Sequence, residues 1–302
     1  MLSIKIKDTL FKNQILTASG TFGYGNEIGK FVDIEKLGGV ITKSVTLHPR
    51  EGNPQPRIAE TDSGMLNSIG LANLGVKEYC NSKLPYLNQL DTNFIINIAG
   101  YAIDDYIETL QILESSNGSQ IGYEINISCP NVKEGGMEFG VDPHMTEKLT
   151  KELRKCTDKI LIMKLSPNVT RIQDIAKAAE NGGADCVSAI NTVVGMGVNV
   201  KTRKSKINTV FGGLSGPAIK PIALANVHKI YQSISIPIIG LGGIKSAADI
   251  IEFILAGADL VQIGTLNYKE PGIGVRLAFE LADYLKEQNI ESISELKGQI
   301  NI

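Results

Sequence analysis

Cys129 follows a short apolar stretch with interleaved polar residues, YEINISCPNV at 123–132. Pro130 should end a strand there, because proline has no N–H to donate to a neighbouring strand, so the thiol is predicted to lie beyond the strand. A thiolate in that place could act as a nucleophile or as a base, since its ordinary pKa of roughly 8.5 needs only a modest downward shift to work near neutrality. The alternative is a small buried hydrophobe, the interpretation we favour for the other three cysteines: Cys80, Cys156 and Cys186.

Two lysines interrupt apolar runs at positions where a charge is unfavourable. Lys164 lies in IMKLS and Lys43 in ITKSVT, and both are predicted to face the interior near one end of the fold. A buried ammonium group must either find a partner or take part in chemistry. It could form a Schiff base or donate to an electron-rich ring, and the alternative is a structural salt bridge.

Glycines and asparagines also stand where apolar runs end. The pairs Gly242–Gly243 and Gly264–Thr265 could bring backbone N–H groups close to a phosphate, although each pair could be only a tight turn. Asn97, Asn126 and Asn191 suit a planar ligand with alternating N–H and carbonyl edges, whereas one such residue alone is more often a turn former. Further polar or glycine residues share these strand ends: Ser19, Gly20, Ser44, Ser128 and Thr192.

Eight short apolar runs must position these residues. They cover 15–20, 39–46, 93–100, 123–130, 160–167, 184–192, 236–243 and 258–265. Amphipathic stretches at helical spacing lie between most of them, and strands alternating with helices in this number predict a (β/α)8 TIM barrel. A doubly wound open sheet is the alternative, but it would want a GxGxxG nucleotide fingerprint, which the chain lacks.

Three long segments are predicted to be loops at the carboxyl ends of strands, where barrel active sites form: 47–64, 131–144 and 193–216. The first thirteen residues alternate like a pair of strands. No linker or low-complexity tract divides the chain, so we predict one domain over 1–302.

Composition narrows the function classes. A net charge of −2 over 302 residues gives no electrostatic case for a nucleic-acid partner. No apolar run reaches the roughly 18 residues of a membrane span, and no signal peptide opens the chain. The scattered cysteines lack metal-binding spacing, so we expect reduced thiols, a cytoplasmic location and neither a metal nor an iron–sulfur cluster on this chain. None of the three histidines ends a core strand, which gives a Cys–His hydrolase little support.

A set of motifs makes a more specific prediction. In chain order these are ASGTFGYG, TKSVT, GMLNSIGLAN, NISCPN with GGMEFGVDP, MKLSPNVT, AINTVVGM, GGLSGPAIKP and GLGGI. Together they run over nearly the whole chain and resemble class 1 dihydroorotate dehydrogenase. The resemblance implies a TIM barrel that holds flavin mononucleotide (FMN) at the carboxyl ends of its strands and oxidises (S)-dihydroorotate to orotate in pyrimidine synthesis. Cys129 would be the base that removes the proton from C5, and hydride from C6 would pass to the flavin.

The resemblance also implies which residues hold the two ligands. FMN would be held by Ser19, Gly20, Lys43, Ser44, Asn97, Asn126, Lys164, Ile190, Gly216, Gly242, Gly243, Gly264 and Thr265. The substrate would be held by Lys43, Asn67, Ser68, Ile69, Gly70, Leu71, Asn126, Asn191 and Thr192. Lys164 would stabilise the anionic reduced flavin, and the loop after Cys129 would act as a lid.

The motifs NVKEGGMEFGVDP and LSPNVT look like the B type of class 1. That type passes electrons to NAD through a partner subunit that carries FAD and a two-iron two-sulfur cluster, so we expect a heterotetramer built on a homodimer of this chain. The A type, a fumarate-linked homodimer, is the alternative. Tyr101 departs from the family pattern, where a smaller residue is expected after the glycine of NIAGYAID.

Two functions outside this family stay open on the residues themselves. One is a lyase or aldolase barrel in which Lys164 forms a Schiff base with a sugar phosphate. The other is a non-catalytic binding barrel in which Cys129 has no chemical role.

Overall fold

A computed structural model describes residues 2–128, 130–131 and 137–301, without the side chains of residues 130, 131, 137 and 138. The predicted base, Cys129, lies outside the described residues. The strands in chain order are β1 (Ile4–Ile6), β2 (Thr9–Phe11), β3 (Ile15–Thr17), β4 (Gly39–Ile41), β5 (Ile58–Thr61), β6 (Gly64–Asn67), β7 (Asn93–Ala99), β8 (Gly122–Asn126), β9 (Pro130–Asn131), β10 (Met137–Glu138), β11 (Ile160–Leu165), β12 (Cys186–Ala189), β13 (Val193–Gly195), β14 (Val198–Asn199), β15 (Lys204–Ser205), β16 (Gly212–Ser215), β17 (Ile238–Leu241) and β18 (Leu260–Ile263).

Eight of these strands close into a barrel. Their order around it is β3, β4, β7, β8, β11, β12, β17 and β18, and β18 returns to β3. Every pair in the barrel is parallel. All eight apolar runs supply one barrel strand each, so the predicted (β/α)8 TIM barrel is confirmed.

Helices cover the outside of the barrel, as continuous apolar strands require. They are α1 (Val76–Ser82), α2 (Leu84–Leu87), α3 (Ile103–Glu114), α4 (Pro143–Arg154), α5 (Ile172–Asn181), α6 (Lys220–Tyr231), α7 (Ala247–Leu255) and α8 (Ile273–Glu287). Outward strand residues such as Tyr123 and Leu161 belong to one buried hydrophobic cluster with helix residues such as Leu149. Among the described residues, no helix is long and apolar enough to cross a membrane.

The barrel interior is apolar in its lower half. The antiparallel pair β1–β2, which the sequence predicts, contributes Ile6 and Phe11 to this interior cluster. Inward-facing strand residues complete the cluster: Leu16, Ile41, Ile95, Ile160, Ile162, Cys186, Ile239 and Leu260. Because strand side chains alternate between faces, the next inward position on several strands lies two residues further on, and there the residues are polar.

A second sheet lies outside the barrel and was not predicted. It is antiparallel, with the order β13, β16, β6, β5. The prediction of loops throughout 47–64 and 193–216 is therefore wrong in part, since β5 and β13 to β16 form there. These strands have only two to four residues each, and most of their side chains are half-buried or exposed, so their sequence carries no continuous apolar run.

Candidate functional site

A polar layer lies above the apolar half of the barrel interior, and the Glu124 carboxylate is at its centre. Strand register places Asn97 directly opposite Glu124, and Asn97 Nδ2 donates to Glu124 Oε1 at 2.7 Å. Lys164 Nζ reaches the same oxygen at 3.2 Å. The other carboxylate oxygen accepts from Ser188 Oγ at 2.9 Å and from the Gln262 amide. An ionised carboxylate has about four lone-pair sites, and four donors fill them here.

Lys164 connects this layer to the mouth of the barrel. The residue is 4% exposed, and its ammonium group also donates to Ser19 Oγ at 3.1 Å. Ser44 Oγ donates to Asn97 Oδ1 at 2.6 Å on the other side of the layer. Four predicted flavin ligands, Ser19, Ser44, Asn97 and Lys164, are thus joined through Glu124. The ion pair that was the structural alternative for Lys164 is present, yet the same ammonium still reaches a residue at the mouth.

Lys43 lies beyond the end of β4 and is half-buried rather than enclosed. Its backbone N–H donates to Gly23 O at 2.8 Å. Among the described residues, no acceptor lies within hydrogen-bonding distance of its ammonium group. Burial lowers the pKa of Lys43, the Glu27 carboxylate opposes that shift, and the Arg57 guanidinium adds to it. A half-buried cation with open donor capacity is suited to an anionic ligand.

Asn126 and Asn191 meet at the carboxyl ends of β8 and β12. Asn191 Nδ2 donates to Asn126 Oδ1 at 3.1 Å and to Ser128 Oγ at 3.0 Å. The side-chain oxygen of Asn191, Oδ1, accepts from the backbone N–H of Thr192 at 2.7 Å. Ser128 is the last described residue before Cys129, the predicted base.

The predicted substrate segment 67–71 approaches the asparagine cluster through the second sheet. Asn67 Nδ2 donates to Gly213 O at 3.2 Å, and a Cβ on Gly213 would lie 2.1 Å from Thr192 Oγ1. Thr209 Oγ1 donates to Ser68 Oγ at 2.7 Å, and Asn53 Nδ2 donates to the same atom at 2.8 Å. Ile69, Gly70 and Leu71 continue the segment, and positive φ angles of 72° and 57° at the last two turn the chain back.

The remaining predicted flavin ligands meet where β16, β17 and β18 end. Thr265 Oγ1 donates to Ser215 Oγ at 2.8 Å, and a Cβ on Gly243 would lie 2.9 Å from the carbonyl oxygen of Gly216. Neither the backbone N–H of Gly243 nor that of Thr265 finds an acceptor among the described residues. Two free N–H groups beside glycines form a cradle of the kind that binds phosphate.

The residues around this cradle hold it in shape. Gly242 lies against Ile190 Cγ1, which a Cβ on the glycine would approach to 3.6 Å. Asp249 caps α7 by accepting from the backbone N–H groups of Lys245 and Ser246, each at 2.9 Å. Burial acts to raise the pKa of Asp249, but the hydrogen bonds from Lys220 and from the Lys245 backbone outweigh burial and lower it. The glycine turn is therefore fixed between a barrel strand and a capped helix.

Gly20 and Gly264 leave room for a ligand at the mouth. A Cβ on Gly20 would meet nothing within 4 Å, and one on Gly264 would come no closer than 3.5 Å to another atom. The Gly20 carbonyl oxygen accepts from the Tyr268 hydroxyl at 2.8 Å. Tyr101 lies elsewhere on the rim, where the Arg50 guanidinium stacks on its ring at 4.3 Å from the centroid.

Glu124 is the central residue of the polar layer, and sequence reasoning missed it. Its alternation with Tyr123 and Ile125 places it on the inner face of β8, two residues before Asn126. A carboxylate at an inward position of a buried strand needs a buried cation, and Lys164 is such a cation on the next barrel strand. The charge pattern is therefore a signal for a buried ion pair, and the strand register is needed to assign its two members.

Comparison with known proteins identifies the family of this chain. The family model for dihydroorotate dehydrogenase matches residues 1–285. A protein of Bacteroides fragilis named dihydroorotate dehydrogenase B (NAD(+)), catalytic subunit, is 46% identical over 301 residues, covering 100% of this chain and 99% of the relative. Proteins with the same name from Phocaeicola vulgatus and Thermoanaerobacter pseudethanolicus are 47% and 45% identical over the same shares of both chains. The chain therefore belongs to the dihydroorotate dehydrogenase family, class 1, and within it to the B type.

Proposed function

We propose that the chain is the catalytic subunit of an NAD-linked dihydroorotate dehydrogenase that oxidises (S)-dihydroorotate to orotate with FMN. The observation that carries the proposal is the continuous polar layer from Ser44 through Asn97, Glu124 and Lys164 to Ser19 at the barrel mouth. A barrel needs no such layer to fold, since an apolar interior of similar volume is usually as stable or more so. Its position at the carboxyl ends of the strands is where barrel enzymes bind their ligands.

The residues present fit FMN. The free N–H groups of Gly243 and Thr265, beside Gly216 and Gly264, offer a cradle for its phosphate. Lys164, Asn97, Ser19 and Ser44 offer donors and acceptors for the polar edge of a flavin ring. When bound, FMN supplies the acceptor for the hydride at C6 of the substrate. The protein orients both partners so that donor and acceptor atoms lie near contact.

Dihydroorotate is a carboxylate joined to a ring with alternating N–H and C=O groups. Lys43 is a cation without a hydrogen-bonding partner among the described residues, which suits the substrate carboxylate. The amides of Asn67, Asn126 and Asn191 both donate and accept, which suits the ring edge. We assign these residues, with Thr192, to the substrate.

Cys129 is proposed as the base at C5. It follows Ser128, whose hydroxyl already accepts from Asn191 among the proposed substrate ligands. The thiolate takes the C5 proton as the C6 hydride leaves, so the substrate loses one proton and one hydride in all. The loop after Cys129, which the resemblance predicts to be a lid, lies in part outside the described residues.

The names of the relatives support an NAD-linked enzyme in which this chain works with a second subunit. We infer that FAD and a two-iron two-sulfur cluster are on that subunit and that two copies of each chain form a heterotetramer. The described residues contain no group of three or more His, Cys, Asp or Glu side chains arranged to bind a metal.

The test uses the purified chain under anaerobic conditions. Bound FMN should lose its visible absorbance when dihydroorotate is added, and NAD should restore it only with the partner subunit present. Reoxidation by fumarate would instead assign the A type. A protein without flavin that is trapped by borohydride in the presence of a sugar phosphate would overturn the proposal in favour of a Schiff-base enzyme.

The Cys129→Ser variant tests the base. We expect a loss of turnover of roughly 10²-fold or more, the usual contribution of a general base, with FMN content unchanged. Cys156→Ser is the matched control, because that thiol is half-buried outside the barrel and donates to Glu152 O within α4. Full activity in the Cys129 variant would remove the base from the mechanism.

A further inference from the structure

Glu124 is fully buried and charged, yet neither FMN nor substrate needs it as a ligand in the proposed function. All four of its hydrogen-bonding partners are donors on the inner faces of four other barrel strands: Asn97, Lys164, Ser188 and Gln262. Two of these donors, Asn97 and Lys164, are proposed flavin ligands. The other two, Ser188 and Gln262, donate to the second carboxylate oxygen of Glu124 and are not proposed ligands of the flavin.

We propose that Glu124 is a positioning residue that sets the reduction potential of the bound flavin through the charge of Lys164. This inference rests on the proposed function, because it assumes that Lys164 faces the flavin. Lys164 Nζ lies 3.2 Å from Glu124 Oε1, so the carboxylate offsets much of the ammonium charge. A lysine partly offset in this way stabilises an anionic reduced flavin less than a lone lysine would.

The geometry permits removal of the charge without removal of the hydrogen bonds. In Glu124→Gln the amide oxygen can still accept from Asn97 and Lys164, while its NH2 group faces Ser188 and Gln262. A serine hydroxyl can accept as well as donate. Gln262 Oε1 is buried and has no partner among the described residues, so rotation of that amide supplies an acceptor for the new NH2 group. The variant should therefore fold and should change the charge alone.

The experiment measures the midpoint potential of FMN bound to the complete enzyme by redox titration against dyes of known potential. Glu124→Gln should raise the potential, with at least a tenfold change in the equilibrium constant, which is about 30 mV for two electrons. Ser188→Ala keeps the carboxylate charge but removes one donor that offsets it, so it should shift the potential in the opposite direction and by less. Glu114→Gln is the control, since that carboxylate pairs with Lys159 at the other end of the barrel.

Lys164→Met separates electrostatics from general loosening of the barrel. Loss of the ammonium charge should lower the potential, whereas loss of the carboxylate charge in Glu124→Gln should raise it, and loosening would shift both variants in the same direction. A shift of the same sign in Glu124→Gln and Lys164→Met, a lowered potential in Glu124→Gln, or no shift in both Glu124→Gln and Ser188→Ala would overturn the inference. Wild-type enzyme without FMN, or with FMN that dihydroorotate cannot reduce, would instead overturn the proposed function.

Discussion

Replacement of Lys164 by methionine gives a direct test of the buried polar layer in the ligand-free protein. Methionine keeps most of the side-chain volume but leaves the fully buried Glu124 carboxylate without its cation. Breaking a buried pair in this way costs about 3–5 kcal/mol of the free energy of unfolding, since the remaining charge is uncompensated. The two amides and the serine hydroxyl still donate to Glu124, so we expect the lower end of that range.

Lys159→Met is the matched control. Lys159 Nζ lies 2.8 Å from Glu114 Oε2, closer than the buried pair, but the two side chains are 32% and 25% exposed. Water can solvate either charge when its partner is lost, so the expected loss is at most about 1 kcal/mol. The contrast between the variants therefore depends on burial and not on distance.

The assay is urea denaturation of the FMN-free chain, followed by far-ultraviolet circular dichroism. With a urea m-value of about 3 kcal/mol/M, a loss of about 3 kcal/mol would lower the midpoint by about 1 M. The double variant Lys164→Met, Glu124→Gln carries neither charge and should recover much of the loss. Equal losses in the two single lysine variants, or a double variant that is less stable than Lys164→Met, would refute the reasoning.

Three further predictions concern ligand binding. Dihydroorotate affinity should fall as pH rises towards 10.5, the ordinary pKa of a lysine, because burial lowers the pKa of Lys43 below that value. Binding titrations at several pH values should show this dependence in the wild type and not in Lys43→Met. Gly243→Ala should weaken FMN binding more than about tenfold (about 1.4 kcal/mol), because the φ of Gly243 is +76° and the new Cβ would lie 2.9 Å from Gly216 O. Gly272→Ala is the control, since its Cβ would meet no atom within 4 Å, and it should leave FMN binding unchanged in the same fluorescence titration. Asn191→Ala should raise the KM for dihydroorotate with FMN content retained, and a lost flavin would contradict its assignment to the substrate.

The barrel could be predicted from the sequence because each of its strands lies in a short, mostly apolar run bounded by turn signals. Such runs arise when a strand is covered on both faces, as Ile160–Leu165 is, and few other elements produce them. The second sheet could not be predicted in the same way. Gly212–Ser215 is half-buried throughout, so neither alternation nor a continuous run marks it as a strand. Its pairing with β6 joins residues about 150 positions apart, which no local pattern encodes.

The strand-end residues were predictable one by one but not their partners. Lys164 could be identified as a buried lysine from its neighbours in IMKLS. A strand this apolar is covered on both faces, so every side chain on it is buried, the lysine included. Its partner requires the register of β8 against β11, which pairs Lys164 with Asn126 and so leaves Glu124 one inward step below. Register depends on the whole closed barrel, which is why the sequence suggests a salt bridge without naming its acid.

The apolar half of the barrel interior strengthens the electrostatic interactions within the polar layer above it. Isoleucines and leucines below Glu124 keep water from one side of the layer, so the charges interact through a medium of lower dielectric than water. In such a medium a carboxylate and an ammonium 3.2 Å apart affect each other, and any ligand above them, more strongly than a surface pair would. The pair adds little to net stability, because desolvation offsets most of its attraction. The main effect of the pair is therefore the electrostatic field that Glu124 and Lys164 produce at the barrel mouth, where it acts on a bound ligand.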